Sequence, residues 1–160
     1  MNKYFWIVAA LLGLSLAAAA QPKAIGIRGG PFEQEISYEH WYTVFDNEFD
    51  FLEAEVGVFT GNGYKATLTY NFTLATPDFT DRGEWGLYAG PGVMTGYGSY
   101  TDPEGKSHGR PFIGGAFQLG VEYNFWVPLQ LSADFRPAFI VPMKVNPYWY
   151  GFAIAARFAF

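Results

Sequence analysis

The sequence contains no cysteine, which excludes disulfide bonds, thiolate metal sites and a cysteine nucleophile. Charged residues are scarce, because they make up 16% of the chain against roughly 25% in typical soluble domains. The formal net charge is −5, which argues against a nucleic-acid partner. The two histidines, His40 and His108, have no neighbouring partners that suggest a metal site. No metal and no cofactor are therefore expected.

Long apolar runs are missing beyond residue 20, so the pattern does not predict a transmembrane helix, which needs about 20 apolar residues. Even so, 50% of the residues are hydrophobic and 20% are aromatic. These apolar residues alternate with small or polar ones. In lipid, only helices and closed barrels satisfy all of their backbone polar groups. An interleaved pattern of this kind therefore favours a β-barrel.

The N-terminus has the features of a secretory signal peptide. Lys3 precedes an apolar segment at 4–16, and the small residues Ala18, Ala19 and Ala20 follow. We expect cleavage after Ala20, which leaves 21–160 as one outer-membrane barrel domain. The alternative is a retained membrane anchor, but the apolar segment is short for a spanning helix.

The C-terminus alternates strictly over residues 148–160. Aromatic and aliphatic residues occupy one face, while small residues and Arg157 occupy the other. The segment resembles the last strand of outer-membrane barrels, whose terminal aromatic residue is recognised by the barrel assembly machinery. Phe158 and Phe160 are the predicted assembly signal.

Counting the alternating segments predicts eight strands, an even number as bacterial barrels have. The predicted fold is an all-β, closed, antiparallel, up-and-down transmembrane barrel. Asn62-Gly63 predicts a tight hairpin turn, and Pro91 predicts a local weakening or bulge. The longest connection, 95–111, is predicted to lie outside the cell, and Phe59 and Phe112 are predicted to join an aromatic belt at that end. The strands are predicted at 23–30, 33–43, 49–59, 64–75, 84–94, 112–126, 128–139 and 148–160.

The inward faces of these strands carry most of the charges of the domain. Charges that face a narrow lumen must be paired or hydrated, because desolvating a lone ion is costly. A network of salt bridges that fills the lumen is the expected arrangement, and a path for protons or small ions is the alternative. The predicted members are Arg28, Glu35, Glu39, Glu53, Glu55, Lys65, Glu122, Asp134, Arg136 and Arg157.

Several segments, including 24–30, 36–40, 112–125 and 127–139, resemble the small outer-membrane barrels of the Bacteroidota, within the OmpA/OmpX-like class. The resemblance covers most of the domain and implies an outer-membrane location, with outer-membrane lipid, lipopolysaccharide and the assembly machinery as partners. It implies no functional residues, because the shared motifs are strands and turns. A soluble lipocalin-like barrel around a ligand is the structural alternative.

The outer connection is where a surface ligand is expected, because loops on rigid scaffolds often carry function. The candidate binding residues are Tyr97, Tyr100, Lys106, His108 and Arg110. We expect a structural or surface-interaction role without catalysis. One alternative is a narrow ion or small-solute channel. The other is a lipid-modifying enzyme that uses His108 with Ser99, Ser107 and Asp102, although no nucleophile-elbow motif surrounds these serines.

Overall fold

The structure, a computed structural model, describes residues 23–44, 47–59, 63–141 and 151–160. The predicted signal peptide and most of the Asn62-Gly63 turn lie outside these residues. All regular elements in the described ranges are strands, and none of the residues described forms a helix long and apolar enough to cross a membrane. The strands are β1 Lys23–Gly29, β2 Glu33–Val44, β3 Asn47–Phe59, β4 Gly63–Ala75, β5 Glu84–Thr101, β6 Ser107–Asn124, β7 Gln130–Phe135, β8 Ala138–Val141 and β9 Phe152–Ala159.

The sheet closes on itself. Each strand from β1 to β6 pairs antiparallel with the next one in the chain, β7 pairs with both β6 and β9, and β9 pairs with β1. At the seam between β1 and β9, the Phe160 amide donates to the Lys23 carbonyl at 2.7 Å, and the Lys23 amide donates to the Phe160 carbonyl at 3.0 Å. The predicted closed, antiparallel, eight-stranded barrel is confirmed.

The seventh barrel strand is split into two segments, because β7 and β8 both pair with β6. Arg136 and Pro137 separate them, and proline cannot donate a backbone hydrogen bond to a ladder. The Arg136 amide donates instead to the Gly151 carbonyl at 2.9 Å, while the Pro137 carbonyl accepts from Phe117 at 3.1 Å. The prediction of one continuous strand at 128–139 is therefore corrected: the seventh strand of the barrel consists of two segments, β7 and β8.

The predicted alternation is clearest along β4, where Thr67, Thr69 and Asn71 are buried and Leu68 and Phe72 are exposed. The same parity holds in the other strands, so the lumen, the space enclosed by the strands, receives mainly small and polar residues. The outer surface receives aliphatic and aromatic ones. Among these, Ile27 is 70% exposed, Ile154 69% and Val56 63%.

Pro91 has the predicted local effect on the sheet. The β4–β5 register omits Tyr70 and Asn71, which lie opposite Pro91 and Gly90, and resumes at Phe72. The irregularity in the register lies further along, between Thr73 and Ala75. The ladder is therefore weakened at the proline, while the bulge occurs elsewhere.

The connection predicted at 95–111 is mostly strand. β5 continues to Thr101 and β6 starts at Ser107, with Tyr100 opposite His108. A short turn joins them, in which Gly105 has a φ of +83°. The glycines of this segment suggested a loop, but each strand satisfies the backbone groups of the other, so the segment is a hairpin extension.

Phe59 and Phe112 do not join an outer belt. Both are buried inside the barrel, with their ring centroids 5.9 Å apart in an edge-to-face arrangement. Their positions in the alternation place them on the inward face, together with Met94 and Ile140. These residues form the apolar cluster, whose members are Phe59, Met94, Phe112, Ala116, Ala138 and Ile140.

Two adjacent glycines of β6 allow a direct test of the two faces. A Cβ on Gly114 would lie 2.1 Å from the carbonyl oxygen of Phe139 and 2.8 Å from the Ile140 Cα, whereas a Cβ on Gly115 would meet nothing within 4 Å. We expect Gly114→Ala to lower the free energy of unfolding by about 1–3 kcal/mol, since backbone must move. Gly115→Ala is the matched control and should change it by less than about 0.5 kcal/mol. Denaturant titration followed by circular dichroism measures both, and equal losses would contradict the inward placement of Gly114.

Candidate functional site

Glycines on one wall of the lumen make room for the charges on the other. The inward positions of β5 include Gly86, Gly90, Gly92 and Gly96. A Cβ on Gly86 would lie 2.9 Å from the Cγ of Glu122. The long charged side chains come mainly from β1, β2, β3 and β9 and extend towards this wall. The inward glycines of β5 therefore leave room for side chains from the other strands, while Tyr88 and Met94 are the large side chains that point inward from β5.

The Arg28 cluster fills the part of the lumen next to the apolar cluster. The Arg28 guanidinium donates from Nη1 to Glu35 Oε2 at 2.7 Å and from Nε to Asp134 Oδ2 at 3.0 Å. Arg136 Nη2 donates to the same Glu35 oxygen at 2.6 Å. Lys65 Nζ lies 3.2 Å from Glu35 Oε1. The cluster comprises Arg28, Lys65 and Arg136 with Glu33, Glu35, Glu55 and Asp134.

The Arg28 cluster places three cations among four carboxylates, and all seven side chains are buried. Guanidinium groups suit this role because their five N–H donors can serve several carboxylates at once. Removing one member would leave a partner charged and desolvated, which is strongly unfavourable. The cluster therefore acts as one unit that ties β1, β2, β3, β4 and β7 together across the lumen.

The Arg157 cluster lies further from the hairpin. Arg157 Nη1 contacts Glu39 Oε1 at 2.8 Å, and Nη2 pairs with Glu53. Its Nε and Nη1 also donate to Ser37 Oγ and Ser132 Oγ, each at 2.8 Å. A single guanidinium thus connects β9 to β2, β3 and β7.

Neutral side chains extend the Arg157 cluster to the glycine wall. Gln118 Nε2 donates to Glu53 Oε2 at 2.9 Å, while its Oε1 accepts from Thr69 Oγ1 at 2.8 Å and from Asn71 Nδ2 at 3.2 Å. Tyr88 is fully buried beside Phe51, with ring centroids 5.0 Å apart. The lumen at this level is filled by side chains that touch one another.

Glu122 is held by neutral side chains. Its carboxylate accepts from Gln130 Nε2 at 3.0 Å and from Asn124 Nδ2 at 3.3 Å, and it forms no ion pair among the described residues. Gln130 Nε2 also donates to Glu39 Oε2 at 2.8 Å. One amide group therefore bridges two carboxylates at the end of the barrel remote from the hairpin.

All ten residues of the predicted lumen network lie inside the barrel, divided between the Arg28 cluster, the Arg157 cluster and Glu122. The sequence analysis missed Glu33, which is 5% exposed and pairs with Arg28 and Lys65. Glu33 lies two positions before Glu35 on the same strand and therefore on the same face, which is the sequence feature that predicts its inward position. Gln130 was not assigned to the network, and its partner Glu39 lies 91 positions away in the sequence.

The predicted surface residues are distributed over both faces of the hairpin. On one face, the rings of Tyr100 and His108 stack at 5.5 Å, and the Arg110 guanidinium carbon lies 5.9 Å from the Tyr100 centroid. Tyr97 lies on the opposite face and stacks on Tyr64 at 5.9 Å. Lys106 lies in the turn. The hairpin therefore brings three of the five candidates together and separates the other two.

The turn of the hairpin is organised by Asp102. Its Oδ1 accepts from the Lys106 amide at 2.8 Å and from the Glu104 amide at 3.0 Å, and its Oδ2 lies 2.8 Å from His108 Nε2. These hydrogen bonds, that from the Lys106 backbone first, lower the pKa of Asp102. Ser99 and Ser107 are one residue away from Tyr100 and His108 along their strands, so alternation places them on the other face. The residues considered for catalysis are thus not assembled into a triad.

Phe158 and Phe160, the predicted assembly signal, are exposed on the outer surface, with their rings stacked at 6.3 Å. They lie at the seam between the first and last strands, where Phe158 is opposite Ile25. This placement leaves both rings accessible next to the closing contact of the barrel.

Comparison with known proteins identified no matching family model. No curated protein matches the chain either. The assignment of a role therefore depends on the geometry of the barrel.

Removing the Arg157 guanidinium tests the lumen clusters. We expect Arg157→Met to lower the free energy of unfolding by about 3–5 kcal/mol, because Glu39 and Glu53 stay buried without their cation. The double variant Arg157→Met, Glu53→Gln should lose less than the sum of the two single variants. The measurement is a denaturant titration of all four proteins.

The control for this cycle is Lys106→Met, which breaks an ion pair to Glu104 whose side chains are 72% and 76% exposed. Such exposed pairs contribute about 0–1 kcal/mol. If Arg157→Met costs no more than Lys106→Met, the Arg157 cluster does not stabilise the barrel.

Proposed function

We propose that the protein is an integral outer-membrane β-barrel with a structural or surface-interaction role and without catalysis. The observation that carries the proposal is the inverted polarity of the barrel. Its buried interior holds charged clusters, and its outer wall is apolar on nearly every outward position. A soluble protein buries its apolar side chains and rarely exposes a large contiguous apolar surface.

The wall has the composition expected for contact with lipid. Its outward residues include Ile36, Val58, Ile113 and Phe152, all more than half exposed. A closed barrel also satisfies its backbone hydrogen bonds internally, as the hydrocarbon region requires. A lipocalin-like barrel would instead place its large apolar residues around an interior ligand. The observed arrangement supports the membrane interpretation over the soluble one.

The interior supports a scaffold role better than a channel. Along the barrel axis from the hairpin end, the apolar cluster, the Arg28 cluster and the Arg157 cluster follow one another. Their side chains are buried and contact each other directly. An eight-stranded barrel encloses only enough space for such side chains. The lumen clusters are therefore proposed to hold the barrel rigid, so that it presents its hairpin.

Further parts of the proposal follow from the resemblance to OmpA/OmpX-like barrels of the Bacteroidota. The chain would be exported with cleavage after about Ala20, inserted by the barrel assembly machinery and surrounded by lipid and lipopolysaccharide. Phe158 and Phe160 would be the assembly signal. The half-buried ring of Tyr100 with the exposed Arg110 beside it would be the surface available to a ligand on the outer side.

An arginine on the outer wall tests the lipid contact. Val56 is 63% exposed and lies between Ile36 and Ala66 on the neighbouring strands. We expect Val56→Arg to lower the free energy of unfolding in lipid vesicles by about 2–4 kcal/mol, because a charge would enter the bilayer. An equally exposed position in water would change by no more than about 0.5 kcal/mol.

The matched control is Thr101→Arg, at an exposed position of the hairpin. It should leave stability nearly unchanged. Equal effects of Val56→Arg and Thr101→Arg would refute lipid contact at the wall.

The orientation of the barrel can be measured because the chain has no cysteine. Two single-cysteine variants are compared. Lys106→Cys places the thiol in the hairpin turn, and Asp81→Cys places it in the exposed connection at the opposite end. We expect a membrane-impermeant maleimide to label Lys106→Cys in intact cells and Asp81→Cys only after lysis. Labelling of Asp81→Cys alone in intact cells would reverse the orientation, and equal labelling of both in a soluble fraction would refute the membrane location.

A further inference from the structure

Four aromatic rings form a row on the outside of the barrel, at the end remote from the hairpin. The ring centroids of Phe79 and Trp85 lie 6.2 Å apart, those of Trp85 and Tyr123 lie 4.8 Å apart, and those of Tyr123 and Phe125 lie 4.6 Å apart. Trp85 lies at the start of β5, and Tyr123 lies at the end of β6. Phe79 lies in the connection between β4 and β5, residues 76–83. The connection therefore adds a ring of its own to the rings of the outer wall.

The aromatic row continues the apolar outer wall. Trp85 is opposite Tyr123 in the β5–β6 ladder, and the next pair on the same face is Leu87 opposite Val121. Leu87 is 40% exposed and Val121 is 38% exposed, so both belong to the outer wall. The row and the wall are one continuous surface, and the environment that covers the wall extends to the row.

The connection is held against the wall by Tyr123 and Gly83. The Tyr123 hydroxyl donates to the Arg82 carbonyl and lies 3.5 Å from the Thr80 hydroxyl. Gly83 has a φ of +82°, and a Cβ there would lie 2.6 Å from the Asn124 carbonyl oxygen and 2.7 Å from the Tyr123 hydroxyl. Glycine alone combines this conformation with so close an approach. The connection is therefore folded back onto the outside of the barrel.

Phe79 is the apolar residue that this arrangement leaves uncovered. Its ring is 75% exposed, although one edge contacts Trp85. Its amide donates to the Pro77 carbonyl at 3.0 Å, so a tight turn fixes its place in the connection. Asp78 and Asp81 beside it are exposed. An apolar ring flanked by charged residues suits the boundary between hydrocarbon and water, where aromatic rings are favourable.

We propose that the 76–83 connection lies along the bilayer surface, with the Phe79 ring inserted between the headgroups and the acyl chains and with Tyr123 holding the connection there. The partner is the phospholipid of the leaflet at this end of the barrel. This inference rests on the proposed membrane location and adds a lipid contact made by a connection, beyond those made by the strands. The continuity of the row with the wall favours lipid over a protein partner.

The test uses single cysteines, which are available because the chain has none of its own. Phe79→Cys and Asp81→Cys are labelled with the fluorophore nitrobenzoxadiazole, and the full chain is folded into phosphatidylcholine vesicles. Lipids that carry a nitroxide near the headgroup quench a label in contact with lipid, whereas iodide quenches a label in water. We expect nitroxide quenching at position 79 to be at least about threefold stronger than at position 81, because interfacial apolar groups lie roughly 5–10 Å below the surface. Iodide should show the reverse order.

Val56→Cys, labelled in the same way, separates this proposal from the membrane location itself. Each labelled protein is first shown by circular dichroism to be folded. Quenching by acyl-chain nitroxides at position 56, together with iodide quenching alone at position 79, would overturn the lipid contact of Phe79 and leave the lipid-facing wall intact. Iodide quenching alone at both positions would overturn both. Equal nitroxide quenching at positions 79 and 81 would refute a specific insertion of Phe79.

Tyr123→Phe tests how the connection is held. It removes the hydroxyl that donates to the Arg82 carbonyl and keeps the aromatic row. In the labelled Phe79→Cys protein it should lower nitroxide quenching at position 79 by about half or more, because the connection loses a hydrogen bond to the wall. Tyr64→Phe is the matched control, at an outward tyrosine of the hairpin end that is 62% exposed, and it should leave the quenching unchanged. Equal quenching in the two variants would overturn the role of Tyr123.

Discussion

The pairing of β1 with β9 is the contact on which the rest of the molecule depends. Six pairs of residues, from Ala24 opposite Ala159 to Gly29 opposite Ile154, join the first and last strands of the barrel. An open sheet of the same strands would expose two edges and could turn either face to water. Once the ends pair, the edges disappear, and every second side chain is confined to a narrow interior. The burial of the charged residues follows from this confinement.

A narrow interior gives a charged side chain few solutions. It must meet an opposite charge or a hydrogen-bond donor, since desolvation otherwise costs several kcal/mol. The Arg28 cluster meets this requirement with three cations for four carboxylates, and the Arg157 cluster with one cation for two. The inward glycines of β5 and β6 supply the room. Electrostatics and packing are therefore two aspects of the same geometric constraint.

The two ends of the barrel differ in consequence. At the hairpin end, the apolar cluster lies between the charged interior and the solvent, and β5 and β6 extend beyond it as a paired ribbon. At the other end, Glu122 borders a small cavity and is held by the amide groups of Gln130 and Asn124. A barrel placed in a membrane would thus present a rigid hairpin on one side and an acidic recess on the other. The proposed surface role belongs to the first end.

The alternation of small or polar with apolar residues was sufficient, by itself, to predict the strand number, the closed antiparallel barrel and which side chains face inward. This prediction succeeds because successive side chains of a strand point to opposite faces of the sheet. In a closed barrel one face borders the lumen and the other forms the outer surface, so the residue types alternate along each strand. Local pattern also located Pro91 as a weak point in the ladder. The inward location of Glu33 follows from the same parity with Glu35.

Tertiary structure alone decided which inward residues meet. Gln118 reaches Glu53, and Arg28 reaches Asp134, across 65 and 106 positions of the chain, and such pairings depend on the stagger of the closed barrel. Strand pairing likewise makes the glycine-rich 95–111 segment a hairpin, because the backbone groups of β5 and β6 hydrogen-bond to each other there. Phe59 and Phe112 face the interior as their positions in the alternation require, which outweighs the preference of aromatic residues for an interface. Sequence period determines the face of a residue, whereas only closure determines its neighbours.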